Sequence, residues 1–174
     1  MEINNGNLDV GIVNHNNLST FRGINYREKN EHWLKERGGV EHGEEHYKWF
    51  ILLHIFFFLF LTIESMINNR GDYTINHILL AAFILTQIGR IWCIYSLGRF
   101  WNTKIIILPR ASLIRRGPYK YMKHPNYVIV GIELFIIPFM FGAYITAFIF
   151  PILHVLLLQI RIPQEEKALV TSST

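Results

Sequence analysis

The 174-residue sequence predicts an all-α, polytopic membrane protein with about four transmembrane helices and a basic cytoplasmic loop. Hydrophobic residues make up 51% of the chain and charged residues only 17%, whereas a typical soluble domain is roughly 25% charged. Seven basic residues and no acidic residue lie within one stretch, 98–126. This composition excludes a disordered chain, and the single cysteine, Cys93, excludes an intramolecular disulfide and a cysteine-based zinc site.

The chain begins with a polar segment that is followed by a charged one. Residues 1–26 are rich in asparagine and show no helical or strand period, so we predict a mobile polar tail there. Residues 27–37 favour a short helix that ends at the two following glycines. His42 and His46 are four apart among glutamates, as in some metal pairs. A solvated surface segment explains this stretch better, and we predict no metal site.

Four apolar segments follow, at 49–66, 75–98, 127–142 and 143–160. Eighteen helical residues reach about 27 Å, close to the ~30 Å thickness of the hydrocarbon layer. The third segment has only 16 residues and adjoins the fourth directly, which predicts a tight helical hairpin. Buried helices of a soluble protein are the alternative, but stretches such as ILLHIFFFLFLTI are apolar on every face, which favours a membrane.

The distribution of charge predicts the topology. The basic stretch 98–126 contrasts with the loop 67–74, which holds only Arg70 and Asp72. Because basic loops stay on the cytoplasmic side, we predict that 98–126 and both termini are cytoplasmic and that 67–74 is outside.

The first candidate functional region is 115–127, with the sequence RRGPYKYMKHPNY. Pro125 suits the first position of a helix, and the free N–H groups of a helix start can hold a carboxylate or a phosphate. His124 and Tyr127 flank that start, and the loop tyrosines, Tyr119 among them, offer ring faces to a cation or an adenine. The alternative, which composition alone favours, is a basic interfacial loop with an aromatic belt.

The second candidate region follows the last apolar segment. Arg161 and Glu165 are four apart and share a face if the helix continues. Pro163 lies between them, removes a backbone hydrogen bond and favours a kink. A salt bridge at a helix end is the alternative.

Ionisable residues inside the apolar segments are costly and are functional candidates by default. Glu64 and His77 lie near segment ends, where they reach the interface. Arg90 and Glu133 are candidates for an ion pair with a structural role. The full set is His54, Glu64, His77, Arg90, Glu133 and His154.

Three motifs follow one another with an apolar hairpin before the last of them: Gly117-Pro118-Tyr119, then His124-Pro125-Asn126-Tyr127, then Arg161-x-x-x-Glu165-Glu166-x-x-Leu169. Their order and spacing resemble the isoprenylcysteine carboxyl methyltransferase family of integral membrane enzymes. The bacterial branch, which includes the alkylpyrone O-methyltransferases, is the most similar. The resemblance covers roughly 27–169, which we predict to be the methyltransferase domain, and leaves 170–174 as a C-terminal tail.

The resemblance implies an S-adenosylmethionine pocket at the cytoplasmic side, under the last helices. The residues that it implies for the cofactor site are Leu113, Ile114, Tyr119, His124, Tyr127 and Glu165, with the catalytic Arg161 facing the substrate anion. Two departures stand out. The family often has a histidine where this chain has Ala111, and relatives usually carry an additional apolar helix where this chain has the polar residues 1–26.

The sequence therefore predicts an S-adenosylmethionine-dependent O-methyltransferase that methylates a carboxylate, enol or phenol oxygen of a lipophilic substrate. Such an oxygen ionises readily, so the enzyme must supply alignment and an electrostatic clamp rather than a strong base. One alternative is a catalytically degenerate scaffold or assembly protein of the same family. Another is a small transporter that uses Arg90 and Glu133, which would leave the aromatic, basic loop unexplained.

The expected location is a bacterial cell membrane. The expected partners are the lipid bilayer and the lipophilic substrate, and no nucleic acid is expected. The oligomeric state stays open.

Overall fold

The protein is an all-α membrane bundle, as predicted, with one small β-sheet. The computed structural model describes residues 19–69, 76–109 and 114–173. The helices are α1 (Ser19–Glu36), α2 (Glu44–Asn69), α3 (His77–Leu97), α4 (Pro125–Met140) and α5 (Tyr144–Ser173). The strands are β1 (Val40–His42) and β2 (Ile105–Ile107), and 3₁₀ turns lie at Gly98–Phe100 and Gly117–Lys120.

The four apolar segments of the sequence correspond to α2, α3, α4 and α5. Among the described residues, three helices are long and apolar enough to cross a membrane, at Tyr47–Asn68, His77–Phe100 and Tyr144–Val170. The fourth, α4, is apolar but shorter. The predicted outer loop falls mainly on 70–75, outside the described residues.

The first helix is longer than predicted. It ends at Glu36, as the glycines at 38 and 39 require, but it begins at Ser19 rather than at residue 27. The sequence STFRGINY shows no helical period, and the prediction of a tail was wrong for 19–26. Residues 1–18 lie outside the described part of the chain.

The small sheet is an element that the sequence did not predict. β1 and β2 pair antiparallel, with Val40 opposite Ile107, and three residues are too few to show a strand period. Ile105 and Ile107 are buried against Ala168 and Leu169 near the end of α5. The sheet therefore fastens the segment after α3 to α5.

Helices α2, α4 and α5 form the main core. Leu53, Phe57 and Leu61 of α2 pack with Leu134 of α4 and Phe150 of α5. The α4–α5 connection is the tight hairpin predicted from the sequence. Gly142 adopts φ +67°, a conformation that favours glycine.

Helices α3 and α4 are joined by an ion pair between Arg90 and Glu133, the pair that the sequence suggested. The Arg90 guanidinium donates to the Glu133 carboxylate, and Gln87 donates to the other oxygen of Glu133 over 2.8 Å. Each formally charged group therefore has a partner, as burial of ionised groups requires. This geometry supports a structural role for the pair.

Candidate active site

Tyr127, in the first turn of α4, bridges the two charged residues of the last helix. Its hydroxyl donates to Glu165 Oε2 over 2.7 Å and accepts from Arg161 Nε over 2.8 Å. Helix α5 runs unbroken past Pro163, so Arg161 and Glu165 do share a face. They meet through a tyrosine rather than in a direct salt bridge.

Arg161 is held by three separate segments. It is only 8% exposed, and its Nη2 donates to the backbone carbonyl of Thr103 over 2.6 Å. The guanidinium carbon lies 4.9 Å from the centre of the Phe50 ring and 5.6 Å from that of Tyr127. Two aromatic rings and a carbonyl therefore fix a buried cation, which strengthens its field in a region of low dielectric.

His124 stands beside this cluster. Its ring stacks on Tyr127 with centroids 5.3 Å apart and an interplanar angle of 11°. Nδ1 lies 3.7 Å from Glu165 Oε2. Nε2 is buried and has no hydrogen-bond partner within the described part of the chain. A buried polar nitrogen in this state is a group that can serve a ligand.

Tyr119 approaches the cluster from the 3₁₀ turn that packs on α3. The turn begins at Gly117, which has φ +52°, and a Cβ there would lie 2.1 Å from Ser96 Oγ. Only glycine lets the turn approach α3 this closely. Burial raises the pKa of Tyr119, and the neighbouring Cys93 and the Glu165 carboxylate raise it further. The phenol therefore stays protonated and remains a hydrogen-bond donor.

The other predicted cofactor residues lie on the segment before this turn. Ile114 is half-buried and precedes the basic pair Arg115 and Arg116. Leu113 and Ala111 are outside the described residues. Tyr121 is 78% exposed, unlike the other loop tyrosines.

Three residues of the cluster were not assigned to it by sequence reasoning. Thr103 acts through its carbonyl, for which no sequence signal exists. Phe50 is one of many aromatic residues in α2. His154 was noted only as an ionisable residue inside a span; it is 2% exposed, and its Nε2 lies 3.2 Å from the Tyr127 carbonyl oxygen.

An apolar groove of about 560 Å³ runs between α2 and α5. Its lining includes Trp49, Leu53, Phe56, Phe60, Ile149 and Leu157. Leu157 lies one helical turn before Arg161 on α5, whereas Arg161 itself lines a separate small cavity with Tyr47 and Lys104. A hydrocarbon chain is the ligand chemistry that the apolar lining of the groove fits.

Among the side chains that the structure describes, no three His, Cys, Asp or Glu lie close enough to hold one metal ion. The side chain of His46, one of the two histidines noted in the sequence, is outside that part of the chain.

Comparison with known proteins decides the family. The model of the isoprenylcysteine carboxyl methyltransferase (ICMT) family matches residues 78–171. The chain belongs to this family. Its members are membrane methyltransferases that use S-adenosylmethionine. The match spans α3, α4 and most of α5, and therefore every polar residue of the Tyr127 bridge.

Similar bacterial proteins extend the comparison to most of the chain. The uncharacterized protein YpbQ of Bacillus subtilis strain 168 is 43% identical over 141 residues, which are 81% of this chain and 84% of YpbQ. An uncharacterized protein of Haemophilus influenzae is 29% identical over 155 residues, which are 86% of this chain and 87% of that protein. No solved structure matches this chain significantly.

Proposed function

We propose that this protein is an S-adenosylmethionine-dependent O-methyltransferase that acts on an acidic oxygen of a lipophilic substrate. The single observation that carries the proposal is the Tyr127 bridge, because it holds a cationic and an anionic group at fixed positions beside aromatic rings. In this account Arg161 binds the substrate oxygen. The cofactor site consists of Leu113, Ile114, Tyr119, His124, Tyr127 and Glu165.

The chemistry of these side chains fits the cofactor. Glu165 only accepts hydrogen bonds and suits the ammonium group of the methionyl part. The stacked rings of His124 and Tyr127 suit a sulfonium cation. The buried Nε2 of His124 supplies a further polar contact, which supports the presence of a ligand at this position.

When bound, S-adenosylmethionine supplies a methyl group on a positively charged sulfur. A substrate oxygen held in line with that methyl group would displace the neutral thioether, which would keep the electron pair of the broken carbon–sulfur bond. Arg161 holds the oxygen in line for this displacement. An ionised oxygen needs no strong base, so alignment and charge are what the site contributes.

The groove between α2 and α5 supports a substrate with a hydrocarbon chain. Its apolar lining leads toward Leu157, one turn from Arg161. A substrate whose chain lies in this groove would bring its acidic end to the guanidinium.

We infer that the Arg161 end of the bundle faces the cytoplasm, together with both termini and the basic stretch 98–126. The support is the excess of basic residues in that stretch. In a bacterial cell membrane, a cysteine placed at Ser112 should resist an impermeant thiol reagent in intact cells. Labelling at this position would show that the topology is the reverse of the one inferred.

Methyl transfer from radiolabelled S-adenosylmethionine tests the proposed function. The purified protein is assayed with a panel of lipophilic carboxylates, enols and phenols. Arg161→Lys keeps the charge but loses the planar fork of donors, so turnover should fall about ten- to a hundred-fold while affinity for S-adenosylhomocysteine stays near wild type. If folded wild-type protein methylates nothing and binds no cofactor, the chain is a scaffold.

A further inference from the structure

We propose that His154 is a positioning residue that fixes the two aromatic rings on either side of Arg161. This inference rests on the proposed function, since Arg161 is the substrate-binding group. His154 lies in the first half of α5, between α2 and α4, and is one of the most deeply buried polar side chains described.

The first contact of His154 fixes the start of α4. Its Nε2 lies 3.2 Å from the carbonyl oxygen of Tyr127. A carbonyl only accepts, so Nε2 carries the proton and donates it. His124 occupies the N-cap position of α4, but among the described residues its side chain makes no capping hydrogen bond. The bond from His154 does not cap the free N–H groups of this turn, because it donates to a carbonyl; it ties the first turn of α4 to α5.

The second contact of His154 fixes Phe50 on α2. The two rings meet edge to face, with centroids 6.1 Å apart and planes at 87°. Phe50 and Tyr127 are the rings that flank the Arg161 guanidinium. One buried imidazole thus contacts both neighbours of the catalytic cation, and a shift of either neighbour would move that cation relative to the substrate.

A buried histidine that only fills space is the competing interpretation, and His54 supplies a matched control. His54 Nδ1 lies 2.7 Å from the carbonyl of Phe50 in its own helix, one turn away. Both histidines therefore contact a backbone carbonyl inside the bundle. Only His154 makes that contact across two helices.

The proposal can be tested on the wild-type protein by measuring which ring nitrogen of His154 carries the proton. Nitrogen-15 NMR of histidine-labelled wild-type protein, with the His154 signal assigned by its loss in His154→Gln, distinguishes the two neutral forms. We expect the form with the proton on Nε2. A proton on Nδ1 alone would remove the bond to Tyr127 and overturn the proposal.

Variants then test whether the contact positions Tyr127. His154→Phe keeps a ring against Phe50 but loses the donor, whereas His154→Gln restores a donor near the position of Nε2. The readout is the carbon-13 signal of the Tyr127 phenol, assigned with Tyr127→Phe. This signal should shift in His154→Phe and return toward wild type in His154→Gln, while His54→Phe leaves it in place. An unchanged signal in His154→Phe would overturn the proposal.

Kinetics link the positioning role to the reaction. His154→Phe should lower kcat about ten-fold or more, His154→Gln should restore most of it, and His54→Phe should stay within about two-fold. Loss of stability in His154→Phe with unchanged kcat in the folded fraction would show a space-filling role. If wild type methylates nothing and binds no cofactor, the proposed function fails, while the NMR results still decide the positioning role.

Discussion

The two ends of the α2–α5 helix pair use polar groups in different ways. At one end, the carboxylate of Glu64 accepts from Ile145 N over 2.7 Å, Thr146 N over 2.8 Å and Thr146 Oγ1 over 2.7 Å. One helix thereby caps the start of the other. At the opposite end, Arg161 and Glu165 meet through Tyr127. The adjacent His124 Nε2 makes no hydrogen bond in the described part of the chain, and Glu166 Oε1 lies 3.9 Å from it.

The contrast separates a structural acid from a binding group. Glu64 satisfies N–H groups that every helix start leaves open, and its hydrogen bonds serve the fold. At the Arg161 end, the side chains come from several segments and include a buried nitrogen that makes no hydrogen bond among the described residues, a group that a ligand can serve. In the proposed function the Arg161 end is the binding end, and the buried His124 nitrogen without a hydrogen bond is one feature that distinguishes it from the Glu64 carboxylate.

The largest expected effect on stability is at the Glu64 end. Glu64→Ala leaves the first N–H groups of α5 without an acceptor and should lower the free energy of unfolding by about 1–3 kcal/mol. Glu64→Gln, which keeps one acceptor oxygen, should lose less. Thermal unfolding in detergent measures both. Affinity for S-adenosylhomocysteine in the folded fraction should not change. A parallel loss of affinity would contradict a purely structural role for Glu64.

At the Arg161 end, substitutions should reduce ligand binding and spare the fold. His124→Ala and Tyr127→Phe each remove a polar contact worth about 0.5–3 kcal/mol, depending on charge, so each should weaken S-adenosylhomocysteine binding. Tyr121→Phe is the matched control, because Tyr121 lies in the same loop but is 78% exposed. Equal affinity in wild type and the three variants would show that this loop is only an interfacial belt.

The smallest effect concerns the cluster that joins α1 to the sheet segment. Lys104 Nζ lies 2.8 Å from Glu31 and 3.2 Å from Glu41. Burial acts to raise the pKa of Glu31, but hydrogen bonds from Lys104 and Lys35 outweigh it, so the pKa lies below its ordinary value of 4.5. The stabilisation is therefore present above pH 4.5 and is lost as the pH falls through the lower, folded-state pKa.

Unfolding measured against pH checks this cluster. Partly exposed pairs contribute about 0–1 kcal/mol each, so the loss in acid should be small. Glu31→Gln should lower stability at neutral pH and flatten the acid dependence. A steeper acid loss in Glu31→Gln than in wild type would contradict the pKa direction.

Helices α2 to α5 were predictable because each contains an apolar run, and their boundaries follow glycine, proline and asparagine. The shared face of Arg161 and Glu165 was also predictable from their spacing. The bridge through Tyr127 was not, because it depends on how α4 crosses α5. The Thr103 carbonyl and the three-residue strands carry no sequence pattern. The start of α1 at Ser19 was missed because Thr20, Gly23 and Asn25 have low helix propensity and 19–26 show no helical period.

Calorimetric titration of S-adenosylhomocysteine into the detergent-purified full-length protein tests the central claim most directly. Wild-type protein should bind it, and Glu165→Gln should bind about ten-fold more weakly or worse, since a hydrogen bond to a charged group is lost. Glu64→Gln, at the other end of the same helix pair, should bind like wild type. Absence of binding in folded wild-type protein, or equal affinity in wild type and Glu165→Gln, would contradict the account.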